Sequence, residues 1–149
     1  MTRVMATGVF DLLHLGHLHY LQEARRLGDE LVVVVATDET VRSRKHEPIF
    51  PAETRAELVG ALKPVDLAVV GHVVDPYEIV EELRPDIIAL GYDQNRDAEA
   101  IRDEMDRRGL KVEVVRIEKF DRDLNGTRKI IRSVLQRRHE LYGMDEGGE

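Results

Sequence analysis

The sequence contains no cysteine and no tryptophan. Disulfides, thiolate metal centres and cysteine nucleophiles are therefore excluded. Aromatic residues make up only 5% of the chain. No apolar run approaches the roughly 20 residues that a membrane span needs. The opening residues, MTRVMATGVF, lack the charged-then-apolar form of a signal peptide. No membrane partner and a cytoplasmic location are expected. Basic residues are the minority, 22 against 29 acidic ones, for a net charge of -7. A general nucleic-acid binder shows the opposite balance, so no nucleic-acid partner is expected.

What is present suits one compact domain. The 149 residues are 42% hydrophobic, enough for a real core in one unit and short for two. Apolar, β-rich runs alternate with helical patterns. Strands are predicted at Arg3 to Gly8, Glu30 to Ala36, Asp66 to Val70, Ile87 to Gly91 and Lys111 to Ile117. Helices are predicted at His17 to Leu27, Pro51 to Leu62, Pro76 to Leu83, Asp97 to Arg107 and Thr127 to His139. Ser43 to Phe50 reads as a loop, and 141–149 as a disordered tail. The alternation predicts an α/β fold: one doubly wound, Rossmann-like parallel sheet of about five strands with helices on both faces. Ligands of such folds sit at the carboxyl ends of the strands.

The polar residues collect there. Strand one is followed by TGVFDLLHLGHLHYL, in which His14 and His17 bracket Gly16. Glycines let backbone approach a ligand, and a helix start offers free N–H groups. Two imidazoles three residues apart can face the same way. Together they make a phosphate cradle with two adjustable donors. Metal binding is the competing functional reading, although two histidines without a third ligand make a poor zinc site. A pair that merely caps the helix is the structural alternative. His19, His46, His72 and His139 read as surface or structural residues, and Glu78, Glu81 and Glu82 as a solvated helix face.

The stretch GVFDLLHLGHLHYLQEARRLGDELVVVVATDE resembles the signature of the nucleotidyltransferase superfamily of the cytidylyltransferase type, with its HxGH motif. The likeness runs from Val4 to about Arg132. RPDIIALGYDQ, ALKPVDLAVVG and LNGTRKIIR are similar to the archaeal FAD synthase branch, whose members are FMN adenylyltransferases. Glycerol-3-phosphate cytidylyltransferase is also similar, chiefly over the first 40 residues.

The resemblance implies a nucleotidyltransferase domain over 1–140 that transfers AMP from ATP to FMN, giving FAD and pyrophosphate. It implies magnesium or another divalent cation travelling with ATP, and a homodimer. The single-domain length implies that FMN is supplied by another enzyme. CTP-dependent transfer to a polyol phosphate is the chemical alternative, and a non-catalytic nucleotide-binding module the alternative of another class.

The resemblance also implies site residues. His14 and His17 would act on the α-phosphoryl group and the leaving pyrophosphate, with Lys45 closing over the phosphates from a loop that could act as a lid. Val9, Phe10, Leu15, Gly16, Gly91, Asp93 and Thr127 would contact the nucleotide. Asp38 and Arg55 would meet the substrate phosphate. Asp11 would either brace the loop or touch the ligand. The family's arginine before the last helix has no match at its spacing, and Arg122 or Arg116 could substitute. If FMN is the acceptor, its ring is expected on aliphatic side chains and partly exposed, because aromatics are scarce.

Overall fold

The computed structural model describes residues 1–44, 46–92, 94, 97–118 and 126–142. Five strands form one parallel sheet: β1 (Arg3–Gly8), β2 (Glu30–Val35), β3 (Leu67–Val70), β4 (Ile87–Leu90) and β5 (Glu113–Arg116), in the order β3-β2-β1-β4-β5. The fold is the expected doubly wound α/β sheet. In β2, Leu31 to Val35 are all buried, so the apolar run builds the sheet's interior.

Alternate side chains supply the two cores. Val4 and Ala6 of β1 join Val33 and Val35 on one face. That face is covered by Leu21 and Ala24 of α1 (Leu15–Arg26) and by Val59 of α3 (Ala52–Gly60). Met5 and Val34 point to the other face. It is covered by Ile79 and Val80 of α4 (Glu78–Leu83) and by Ile101 and Met105 of α5 (Ala98–Arg107). Arg108 fastens that second layer through ion pairs to Asp75, Glu81 and Glu104. These carboxylates raise the Arg108 pKa, and its guanidinium holds Asp75 below its ordinary range. Glu81 and Glu82 are exposed, as expected of a solvated face, and pair with Arg108 and with His72 at 2.9 Å.

Two elements differ from expectation. Helix α2 (Asp38–Ser43) follows Thr37, whose hydroxyl caps it by accepting from the Thr40 N–H. Six residues with one buried position, Val41, are too few to register as a helical period. The last helix is two, α6 (Thr127–Gln136) and α7 (Arg138–Tyr142), parted at Arg137 just after the apolar positions end at Leu135. No helix among the described residues is long and apolar enough to cross a membrane.

The central strand β1 lies between β2 and β4, and the chain reverses its winding there. The crevice between the carboxyl ends of β1 and β4 is the switch point at which open α/β sheets bind ligands.

Candidate active site

The pairing of β1 with β4 covers Val4 to Ala6 against Ile87 to Ala89, and the strands part beyond it. Side chains take over the open backbone groups. The Tyr20 hydroxyl accepts from the Thr7 N–H at 3.2 Å and donates to the Ala89 carbonyl at 2.5 Å. Gln94 donates from Nε2 to the Thr7 carbonyl at 2.5 Å and accepts at Oε1 from the Gly91 N–H at 3.1 Å. Arg116 donates to the carbonyls of Gly91 and Gln94, both at 3.0 Å. The crevice mouth is therefore held apart by three side chains. The Thr7 hydroxyl oxygen is buried there without a hydrogen-bond partner among the described residues.

The loop from β1 to α1 crosses this mouth. Phe10 is 2% exposed and has a left-handed backbone, φ 55°. That conformation is costly for a bulky residue and marks local strain. Its ring folds back over Gly8, where a Cβ would come within 2.8 Å of it. Gly8 is required for that approach. The Phe10 ring meets His17 at 5.2 Å and Tyr20 at 6.5 Å between centroids. The N–H groups of Val9 and Phe10 donate to no acceptor among the described residues.

Both motif histidines are oriented by backbone. The Gly16 N–H donates to His14 Nδ1 at 3.1 Å, and the His14 N–H donates to His17 Nδ1 at 3.3 Å. This reciprocal cap closes the first turn of α1. With Nδ1 accepting, a neutral imidazole carries its proton on Nε2. Burial, with a smaller push from His14, lowers the His17 pKa to about 3. His17 is thus a neutral N–H donor at physiological pH. The pair thus performs the helix-cap role that was its structural alternative.

Arg55 and Asp38 do other work than expected. Arg55 is wholly buried. Its Nη2 pairs with Asp38 Oδ1 at 2.7 Å, its Nη1 reaches the carbonyls of Val9 and Ala36, and its Nε that of Phe50. A guanidinium surrounded this way has no face for a substrate phosphate. Arg55 instead ties the loops after β1 and β2 to the segment leading into α3. Asp11 completes the tie by accepting from the N–H groups of Ile49 and Phe50 at 2.7 and 2.9 Å. Of its two expected roles, Asp11 performs the bracing one.

Leu15 and Gly16 open α1, and Leu15 is half-exposed at its start. Both backbone groups of Gly91 are engaged, by Gln94 and Arg116. Gly126 is the N-cap of α6, so Thr127 is its first helical residue and does not cap. The Thr127 hydroxyl lies 3.4 Å from the Leu12 carbonyl, which joins α6 to the motif loop. Lys45, Asp93 and Arg122 lie outside the described residues, as does the segment 143–149. Tyr20 and Gln94 were not singled out by sequence reasoning. Tyr20 stands three residues after His17, on the same helix face, and that spacing was the available signal.

A strained loop, the Val9 and Phe10 N–H groups and two stacked imidazoles thus lie together at the sheet's switch point, where open α/β sheets bind ligands. The chain belongs to the cytidylyltransferase-like family, whose model matches residues 5–139. Within it, the chain is 58% identical to the FAD synthase of Aciduliprofundum boonei, over 97% of this chain and 98% of that protein. It is 49% identical to the FAD synthase of Thermoplasma acidophilum, over 91% and 96% of the two. The crystal structure of the lipopolysaccharide core biosynthesis protein from Thermoplasma volcanium GSS1 matches with a TM-score of 0.80 at 53% identity, over 81% of this chain and 99% of that one.

Proposed function

We propose that this chain is an FMN adenylyltransferase, an enzyme that transfers AMP from ATP to FMN and releases pyrophosphate. The relatives named FAD synthase support the acceptor. The observation that carries the chemistry is the stacked histidine pair, each ring turned by a backbone N–H at its Nδ1, at the start of α1 just after the Val9–Phe10 loop. Neither the CTP-dependent reaction nor a non-catalytic nucleotide-binding role is favoured by those relatives.

An oxygen of the FMN phosphate attacks the α-phosphorus of ATP. The new P–O bond forms as the bond from that phosphorus to the oxygen bridging the β-phosphate breaks. The electron pair leaves with pyrophosphate. No proton has to cross in this exchange, so neutral donors serve better than an acid–base pair. His14 and His17 stabilise the charge that develops on the transferring phosphoryl and on the leaving oxygen. Val9 and Phe10 hold the triphosphate through backbone N–H groups.

The described carboxylates nearest this loop are engaged: Asp11 by two amides and Asp38 by Arg55. A divalent cation therefore fits as one held by the triphosphate and water rather than by these side chains. When bound, it neutralises phosphate charge. A homodimer working in the cytoplasm belongs to the same reading, and sedimentation of the purified chain tests the dimer.

A substrate panel tests the reaction. ATP and CTP are each offered with FMN and with glycerol-3-phosphate, and products are resolved by chromatography. FAD formed only from ATP and FMN is expected. Product only from CTP and glycerol-3-phosphate would move the acceptor assignment to the polyol phosphate.

A further inference from the structure

Helix α6 is the least covered helix of ten or more residues in the described structure, since none of its residues is buried. Val134 is 43% exposed and Leu135 61%. A ten-residue helix is marginal alone, and an apolar stripe on it calls for something to cover it. Arg128, Ile131, Arg132, Leu135 and Gln136 line a shallow groove of about 420 Å³. They lie at helical spacing on one face.

The groove's chemistry is mixed in a particular way. Its wall is apolar, and two guanidinium groups frame it. Residues 127–139 hold Arg128, Lys129, Arg132, Arg137 and Arg138 and no carboxylate, in a chain of net charge -7. Arg128 and Arg132 make no ion pair with a described residue. An occupant with an anionic end and a flat apolar body complements both features.

The groove's position orders the two ends. Thr127 touches the Leu12 carbonyl, two residues before His14. The Arg128 end therefore faces the reaction centre. Leu135 lies seven residues on, roughly 10 Å along the helix axis. We propose that this stripe of α6 seats the acceptor, with the FMN phosphate at Arg128 and Arg132 and the isoalloxazine ring on Ile131 and Leu135. This rests on the reading of the protein as an FMN adenylyltransferase. A second copy is the weaker occupant. A two-fold contact sets the same patch against itself, and here that brings like-charged arginines together.

The experiment compares the wild-type chain with Leu135→Asp, an exposed site where the fold should survive, and with Arg132→Gln. FMN binding is read by quenching of flavin fluorescence without ATP, and turnover by FAD formation at varied FMN and varied ATP. Both variants are expected to weaken FMN binding and raise its KM tenfold or more, with the ATP KM within twofold. Unchanged FMN binding and KM, with FAD still formed, would overturn the seat and leave the reaction standing. A wild-type chain that binds FMN through Leu135 yet makes no FAD would uphold the seat and remove the reaction. Loss of self-association in Leu135→Asp with FMN binding intact would overturn the proposal in favour of a second copy.

Discussion

His14 and His17 stack with ring centroids 3.8 Å apart and an interplanar angle of 27°. Each ring is turned by a backbone N–H at its Nδ1, so the two rings are held as a pair. The stacking explains why a short loop needs both imidazoles: neither is positioned without the other's backbone or ring.

His14→Ala and His17→Ala are each expected to lower turnover about 100-fold or more, the usual loss of one preorganised donor. Circular dichroism should remain that of the folded chain. Rates within a few-fold of wild type would remove the pair from the reaction.

His17 also sets a pH dependence of stability. Its pKa is lowered from 6.5 to about 3 by burial and by His14. Between those values the unfolded chain takes up a proton that the folded chain refuses. Stability from this group is therefore complete above pH 6.5 and falls as pH drops toward 3. The slope is at most about 1.4 kcal/mol per pH unit. Denaturant titrations at several pH values should show a shallower acid loss in His17→Gln than in wild type. The rate profile should show no step for His17 near pH 6.5.

Gly8→Ala places a methyl group within 2.8 Å of the Phe10 ring. Overpacking of this kind costs about 1–3 kcal/mol. Because Phe10 packs on His17, the variant should lose more activity than the fraction unfolded explains. Thermal denaturation and kcat, measured together, separate the two.

Removing Arg55 strands Asp38 and the carbonyls of Val9, Ala36 and Phe50. Breaking a buried ion pair from one side costs about 3–5 kcal/mol. Arg55→Met should show a loss of this size in chemical denaturation, and Arg55→Lys should not restore stability, because an ammonium lacks the fork that reaches all four acceptors. A stable Arg55→Met chain with a raised FMN KM would return Arg55 to the substrate.

Much of the sheet was legible because burial leaves its mark in composition: the valines of β2 can only be an interior strand. The motif loop was legible because glycine and histidine are unusual at a strand-to-helix handover. Arg55 was not. Nothing local distinguishes it from a surface helix arginine, and its acceptors at Val9 and Ala36 lie 46 and 19 residues away. Tyr20 was hidden for the same reason, since Ala89 is 69 residues distant. Helix α2 was too short for periodicity to speak.

The most direct test uses one diastereomer of ATP carrying sulfur at the α-phosphorus, with FMN as acceptor. Direct attack at a site with no covalent intermediate inverts that phosphorus, so thio-FAD of inverted configuration is the expected product. Retention of configuration, or no flavin dinucleotide at all, would contradict direct adenylyl transfer by the His14–His17 site.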